Sequence, residues 1–218
     1  MTLKQPNVKS KRVTGLYAIT PDVLDTKVLV QKVHCALAGG ARIVQYRSKS
    51  KDAALRYVQA ALLLALCRQA GIPLVVNDDV DLALAIGADG LHLGRGDGDI
   101  GTARAKLGKE RLLGASCYDQ LQLGVAALNQ GADYVAFGSA FSSSTKPGAV
   151  RAPLRLYHEA KVRLKLPIVA IGGITLGNAA LLIDAGVDAV AVISALFDTP
   201  DIEAVARQFS NLFHRKDL

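Results

Sequence analysis

What most limits the fold of this chain is a phrase that recurs at four helix-to-strand joins. It reads Ala-Gly-Gly-Ala-Arg (38–42), Ile-Gly-Ala-Asp-Gly (86–90), Gln-Gly-Ala-Asp-Tyr (130–134) and Ala-Gly-Val-Asp-Ala (185–189). In each, a glycine supplies the left-handed residue that ends a helix, and a strand-length apolar run follows at once. Recurrence of one join means one supersecondary unit used repeatedly. From Gly15 onward that unit is strand, turn, helix. Strands are read at Leu16–Thr20, Ala41–Tyr46, Pro73–Val76, Gly90–Leu93, Leu112–Ala115, Tyr134–Phe137, Ile168–Ile171 and Ala189–Ile193. Helical spacing fills Thr26–Ala38, Asp52–Ala70, Asp79–Ile86, Asp99–Leu107, Tyr118–Gln130, Pro153–Lys165, Leu176–Ala185 and Asp201–Phe213.

Continuous apolar strands alternating with helices predict an α/β fold, a parallel sheet covered by helices. Closure into a single (β/α)8 TIM barrel uses every strand and leaves no edge. An open doubly wound sheet is the alternative, and no strand–GxGxxG–helix phrase opens the chain to favour it. The expected organisation is a basic N-terminal tail (1–14), a barrel (15–213) and a C-terminal tail (214–218). The 218 residues, half of them apolar, suit one domain of this kind. Three scattered cysteines, Cys35, Cys67 and Cys117, make neither a disulfide framework nor a zinc spacing, so a reducing cytoplasm is expected. No apolar run approaches the ~20 residues that span a bilayer, and the N-terminus lacks the apolar core of a secretory signal. The net charge of +7 is dispersed among few aromatics. That argues against nucleic acid as a partner and suits small phosphorylated substrates.

In a barrel the chemistry sits where strands end and helices begin, and the unusual polar residues fall there. After the second strand, Gln45, Arg47 and Lys49 alternate along an extended run, which would aim an amide and two cations at one point. After the third and fourth come Asn77, Asp78 and Asp97. Two carboxylates released by neighbouring parallel strands suit Mg²⁺, which takes one or two protein carboxylates and fills its shell with water and substrate phosphate. Asp79 and Asp81 read as first-turn acids and Asp99 as a helix cap. His92, between two leucines, reads as a packed, hydrogen-bonded structural histidine. Ser116-Cys117 follows the fifth strand, where a polar helix start is an adequate explanation. After the sixth, the long connection 138–148 carries Ser143, Thr145 and Lys146, a candidate phosphate cradle. After the seventh come Gly172-Gly173, and the eighth ends at Ile193-Ser194, the usual phosphate corner of such barrels. Two phosphate-favouring corners fit two phosphorylated substrates better than one.

The ordered set LYAITPD, VQYRSK, NDDVDLALAIGADGLHLGRGD, LLGASC, YVAFGSAFSSSTK, AIGGI and VAVISA resembles the thiamine phosphate synthase family from Leu16 to Phe213. The resemblance implies a transferase that joins hydroxymethylpyrimidine diphosphate to a thiazole phosphate and releases pyrophosphate. It also implies one Mg²⁺ per active site on Asp78 and Asp97. Gln45, Arg47, Lys49 and Asn77 would serve the pyrimidine diphosphate, and Ser116 and Lys146 the diphosphate and reaction centre. Of these, Arg47, Lys49, Ser116 and Lys146 are the expected catalytic residues. Ser143, Thr145, Gly173, Ile193 and Ser194 would serve the thiazole phosphate. Four positions depart from the family: Ser48 replaces an acid, Arg95-Gly96 replaces Gln-Glu, and Ser143 replaces threonine. A thiazole tautomerase or a non-catalytic phosphate-binding barrel would share the scaffold, but neither needs the metal carboxylates together with the cations. Expected partners are the two small molecules, with no nucleic acid and no membrane, and self-association is left open.

Overall fold

A computed structural model of the chain describes residues 13–142 and 150–214. The strands are β1 (Gly15–Ile19), β2 (Ile43–Tyr46), β3 (Leu74–Asn77), β4 (Gly90–Leu93), β5 (Leu112–Tyr118), β6 (Tyr134–Phe137), β7 (Ile168–Ile171) and β8 (Ala189–Val192). Between them run α1 (Thr26–Ala38), α2 (Ala53–Gln69), α3 (Val80–Ile86), α4 (Ile100–Leu107), α5 (Leu121–Asn129), α6 (Leu154–Leu164) and α7 (Ala179–Asp184). A short α8 (Ser194–Phe197) and a long α9 (Ile202–His214) close the chain. All strands are parallel in sequence order, and β8 pairs back onto β1 to close the barrel. The predicted (β/α)8 architecture is therefore the observed one.

The recurring join has a physical explanation. Gly40, Gly87, Gly131 and Gly186 all adopt positive φ, which reverses the chain out of each helix without steric cost. The aspartate that follows the glycine in three of the joins then closes the lower rim. Asp89 accepts the backbone N–H of Leu74 at 3.0 Å, Asp133 that of Leu113 at 2.9 Å, and Asp188 that of Ile168 at 2.7 Å. Each carboxylate thus satisfies a donor at the start of the preceding strand, on the face away from the strand C-termini. Arg104 locks one of these acids, donating to Asp133 at 2.5 Å and to the carbonyls of Gly108, Arg111 and Gly131. Lys161 pairs with Asp188 in the same way.

Inward residues fill the barrel: Tyr17, Ile43, Val75, Leu112, Tyr134 and Val169 form one buried cluster, with Ala136, Ala189 and Ala191 among them. Outward strand residues meet the helices in three further clusters, the largest around Phe137, Tyr157, Phe197 and Phe209. Most predicted helix ends differ from the observed ones by a cap residue. Asp52, Asp79 and Asp99 are N-caps whose side chains accept from Leu55, Leu82 and Thr102. Three differences are of another kind, the first being that α7 starts at Ala179 and not at Leu176. β5 continues to Tyr118 through an irregularity against β6, so α5 starts at Leu121 and not at Tyr118. Tyr118 has φ 54, a left-handed backbone that a helix cannot include. The eighth strand stops at Val192, and Ser194 opens the separate helix α8.

Asp133→Ala should lower the unfolding free energy by about 2–3 kcal/mol, because it strands a strand N–H and leaves the mostly buried Arg104 unpaired. Urea denaturation followed by circular dichroism reads the change. Asp133→Asn should recover part of it.

Candidate active site

The C-terminal ends of the strands enclose a cavity of about 560 Å³, within the range of small-ligand sites. Gln45, Arg47, Asn77, Asp78, Asp97, Ser116, Gly173, Ile193 and Ser194 all line it, so nine residues singled out from the sequence converge on one space. Lys49 is not among the lining residues. The alternation that would align it with Gln45 and Arg47 holds only within a strand, and β2 ends at Tyr46. Beyond that end the backbone N–H of Lys49 is tied to the Asp22 carboxylate at 3.0 Å. Ser143, Thr145 and Lys146 lie outside the described residues.

The cavity has two polar corners. The first belongs to β2, β3 and β4. The hydroxyl of Thr20, fully buried, clasps the Arg47 backbone by accepting its N–H at 2.9 Å and donating to its carbonyl at 3.1 Å. Asn77 donates to Asp78 at 2.5 Å, and Asp97 accepts the N–H of Gly94 at 3.0 Å. Asp78 holds φ 63, an unusual backbone for a non-glycine residue, fixed by its N–H on the His92 carbonyl. Burial, and then the Asp97 carboxyl that shares a hydrogen bond with it, raise Asp78 from the usual carboxylate range to about 6. Asn77 and the Arg47 charge pull it the other way. Two acids that resist ionising together are suited to a divalent cation, which relieves their repulsion where a shared proton otherwise would.

Arg95 stands at the rim of this corner. Its guanidinium lies 5.1 Å from the centre of the Tyr118 ring, and its backbone N–H donates to the Tyr118 hydroxyl at 3.1 Å. The aromatic face, and not Asp97, holds the cation.

The second corner belongs to β7 and β8. Gly172 and Gly173 have φ 98 and 64, and a Cβ on either would fall within 2.4 Å of the Ser139 hydroxyl or the Ser142 carbonyl. Only glycine allows the loop after β6 to lie this close. Asn178 pins the turn by accepting from the Thr175 N–H at 2.8 Å and donating to the Gly173 carbonyl at 3.0 Å. Ile193 and Ser194, leading into α8, complete the corner.

Between the corners lies a buried polar floor that the sequence reading missed. Gln45 Nε2 donates to the Tyr17 hydroxyl at 2.9 Å, and Tyr17 and Tyr134 share a hydrogen bond of 2.8 Å. Tyr134 meets His92 Nδ1 at 3.0 Å, and His92 Nε2 meets Ser116 Oγ at 2.9 Å. His92 is the packed, hydrogen-bonded histidine expected, and it faces the cavity as well. Burial lowers it to about 4, so it is neutral near neutrality, and the same burial keeps both phenols protonated. Gly114 makes this floor possible, because a Cβ there would sit 2.1 Å from the Tyr134 ring. A phenol at an inward strand position was the available signal, since a buried hydroxyl requires a partner.

Comparison with known proteins agrees with this geometry. A family profile described as "Thiamine monophosphate synthase" matches residues 16–196. The chain belongs to that family. It is 57% identical over 202 residues to the thiamine-phosphate synthase of Methylobacillus flagellatus, covering 93% of this chain and 96% of that one. It is 54% identical over 202 residues to that of Aromatoleum aromaticum, covering 93% and 97%. The solved thiamine phosphate pyrophosphorylase of Pyrococcus furiosus superposes with a TM-score of 0.86 at 33% identity, covering 95% of this chain and 98% of that one. No helix among the described residues is long and apolar enough to cross a membrane.

The raised Asp78 carboxyl gives a sign-specific prediction. Its native form binds a proton more tightly than the unfolded chain does, so stability falls as pH rises from about 3.8 to about 6. Above that window the cost is fully present. Asp78→Asn should therefore raise the melting temperature of metal-free protein at pH 8 and lose most of that advantage at pH 4. Equal shifts at both pH values would contradict the charge explanation.

Proposed function

We propose that this chain is a transferase making thiamine phosphate. It transfers the hydroxymethylpyrimidine group from its diphosphate to the nitrogen of the thiazole phosphate, and pyrophosphate leaves. The observation that carries this reading is the pairing of two polar corners in one cavity: an acid pair with Arg47 and Asn77, and a glycine turn with Ser194. An isomerase working on the thiazole phosphate alone would have no use for the first. Relatives bearing the synthase name over almost the whole chain support the same reading.

The carbon that changes partners is benzylic-like, on an electron-rich aminopyrimidine, so its bond to the diphosphate can break before the new bond forms. The chain therefore supplies neither covalent nucleophile nor strong base. Arg47, braced by Thr20, offsets charge growing on the leaving oxygens, with Lys146 as a second cation by family likeness. Lys49 would join them only by turning in from beyond the strand end. Asp78 and Asp97 would hold Mg²⁺, which when bound neutralises diphosphate charge as a Lewis acid. Gln45 and Asn77 orient the pyrimidine diphosphate. Gly173, Ile193 and Ser194, with Ser143 and Thr145 by likeness, hold the thiazole phosphate so that its nitrogen faces the same carbon. Ser116, between the corners, presents its hydroxyl to the leaving group. The setting proposed is cytoplasmic, with two small-molecule substrates and one Mg²⁺ per site.

Incubation with both substrates and Mg²⁺ should release thiamine phosphate and pyrophosphate in equal amounts, and a chelator should stop the reaction. Asp78→Ala should lower turnover by about a hundredfold or more with an unchanged circular dichroism spectrum. Absence of product from the unmodified chain would refute the assignment. Near-normal turnover in Asp78→Ala would refute the metal role.

A further inference from the structure

The buried floor is a single chain of hydrogen bonds through five strands: Gln45 on β2, Tyr17 on β1, Tyr134 on β6, His92 on β4 and Ser116 on β5. The first four side chains belong to residues at most 7% exposed, so water does not interrupt the chain. A phenol has one hydrogen to give and a neutral imidazole has one N–H, so every donor along such a chain must point the same way. Gln45 sets the direction. It turns its Nε2 amide, which can only donate, toward Tyr17. Tyr17 must then give its hydrogen to Tyr134, and Tyr134 must give its own to His92 Nδ1. The imidazole hydrogen is left on Nε2, where it is donated to Ser116 Oγ. Ser116 accepts from the histidine, and its own hydrogen points away from it, toward the cavity that both residues line. Turning the Gln45 amide over would reverse every donor, place the imidazole hydrogen on Nδ1 and leave Ser116 offering only lone pairs.

We propose that Gln45, Tyr17, Tyr134 and His92 form a polarised relay that directs the Ser116 hydroxyl hydrogen into the cavity, toward an anionic oxygen of the leaving diphosphate. This rests on the reaction assigned above. Tyr17, Tyr134 and His92 are positioning residues acting through Ser116. At the far end, Gln45 also lines the cavity, so its Oε1 can serve an N–H donor of the ligand, such as an aromatic amine. The relay thereby reads two ligand groups together, a donor at Gln45 and an anionic acceptor at Ser116. A ligand carrying both stabilises the one polarity that also serves the leaving group. Stacking of His92 on Tyr134, with ring centres 5.5 Å apart, and the missing side chain at Gly114 keep the middle of the chain in register.

Two measurements test it. Nitrogen-15 NMR of the full chain labelled at histidine, with the His92 signals assigned by their loss in His92→Gln, should show the hydrogen on Nε2. A hydrogen on Nδ1 overturns the proposal, and this readout needs no turnover. In kinetics, Tyr134→Phe keeps the stacked ring and removes the link. It should lower kcat about tenfold, the worth of one ~1.4 kcal/mol hydrogen bond, with KM for the thiazole phosphate unchanged. In the Ser116→Ala background the same change should lower kcat less than twofold. An equal loss in both backgrounds, or no loss in either, overturns the proposal. If the unmodified chain made no thiamine phosphate, the assigned reaction would fall, and the imidazole tautomer would still decide the relay's polarity.

Discussion

Pairing of β8 with β1 is the constraint on which the rest of this molecule depends. In the closing register Tyr17 stands beside Ala191 and Ala18 beside Val192. That register brings the last strand's end, with Ile193 and Ser194, to the cavity that Asp78 and Asp97 enter from β3 and β4. It also brings Tyr17 within reach of Tyr134, which lies 117 residues further along the chain. An open sheet would leave the two polar corners on distant edges. Closure therefore supplies both the fold and the meeting of the two polar corners.

Stability and chemistry occupy opposite ends of the barrel. At the lower rim, Asp89, Asp133 and Asp188 each satisfy a strand N–H, and two of them are paired with cations. At the upper rim, Asp78 and Asp97 face one another, and Asp78 sits in an unusual backbone well. The same residue type stabilises at one end and costs at the other. Such local cost is what a binding site for a charged ligand requires, because the ligand relieves it.

The periodic parts of the structure were the legible parts. Strand and helix identities, the glycine joins and the helix cap at Asp99 follow from local chemistry, whereas Asp79, expected as a first-turn acid, is an N-cap. Tyr118 escaped because a positive φ on a tyrosine is imposed by β5–β6 packing and leaves no mark in an apolar helical pattern. Lys49 lies past the end of β2, where strand alternation no longer sets the direction of a side chain. The polar floor was hidden for another reason. Tyr17, Tyr134, His92 and Gln45 lie far apart in sequence, and only knowledge of which strands face across the barrel joins them. The position of Arg95 likewise becomes intelligible only beside Tyr118.

The central claim is that one cavity holds two phosphorylated groups at once, in separate corners. Calorimetric titration of the thiazole phosphate, with and without saturating Mg²⁺-pyrophosphate, tests this most directly. Separate corners predict that the thiazole phosphate still binds with one site per chain and an affinity within a few-fold of that measured alone. Loss of thiazole phosphate binding in proportion to pyrophosphate occupancy would mean a single shared anion site, and would contradict the claim.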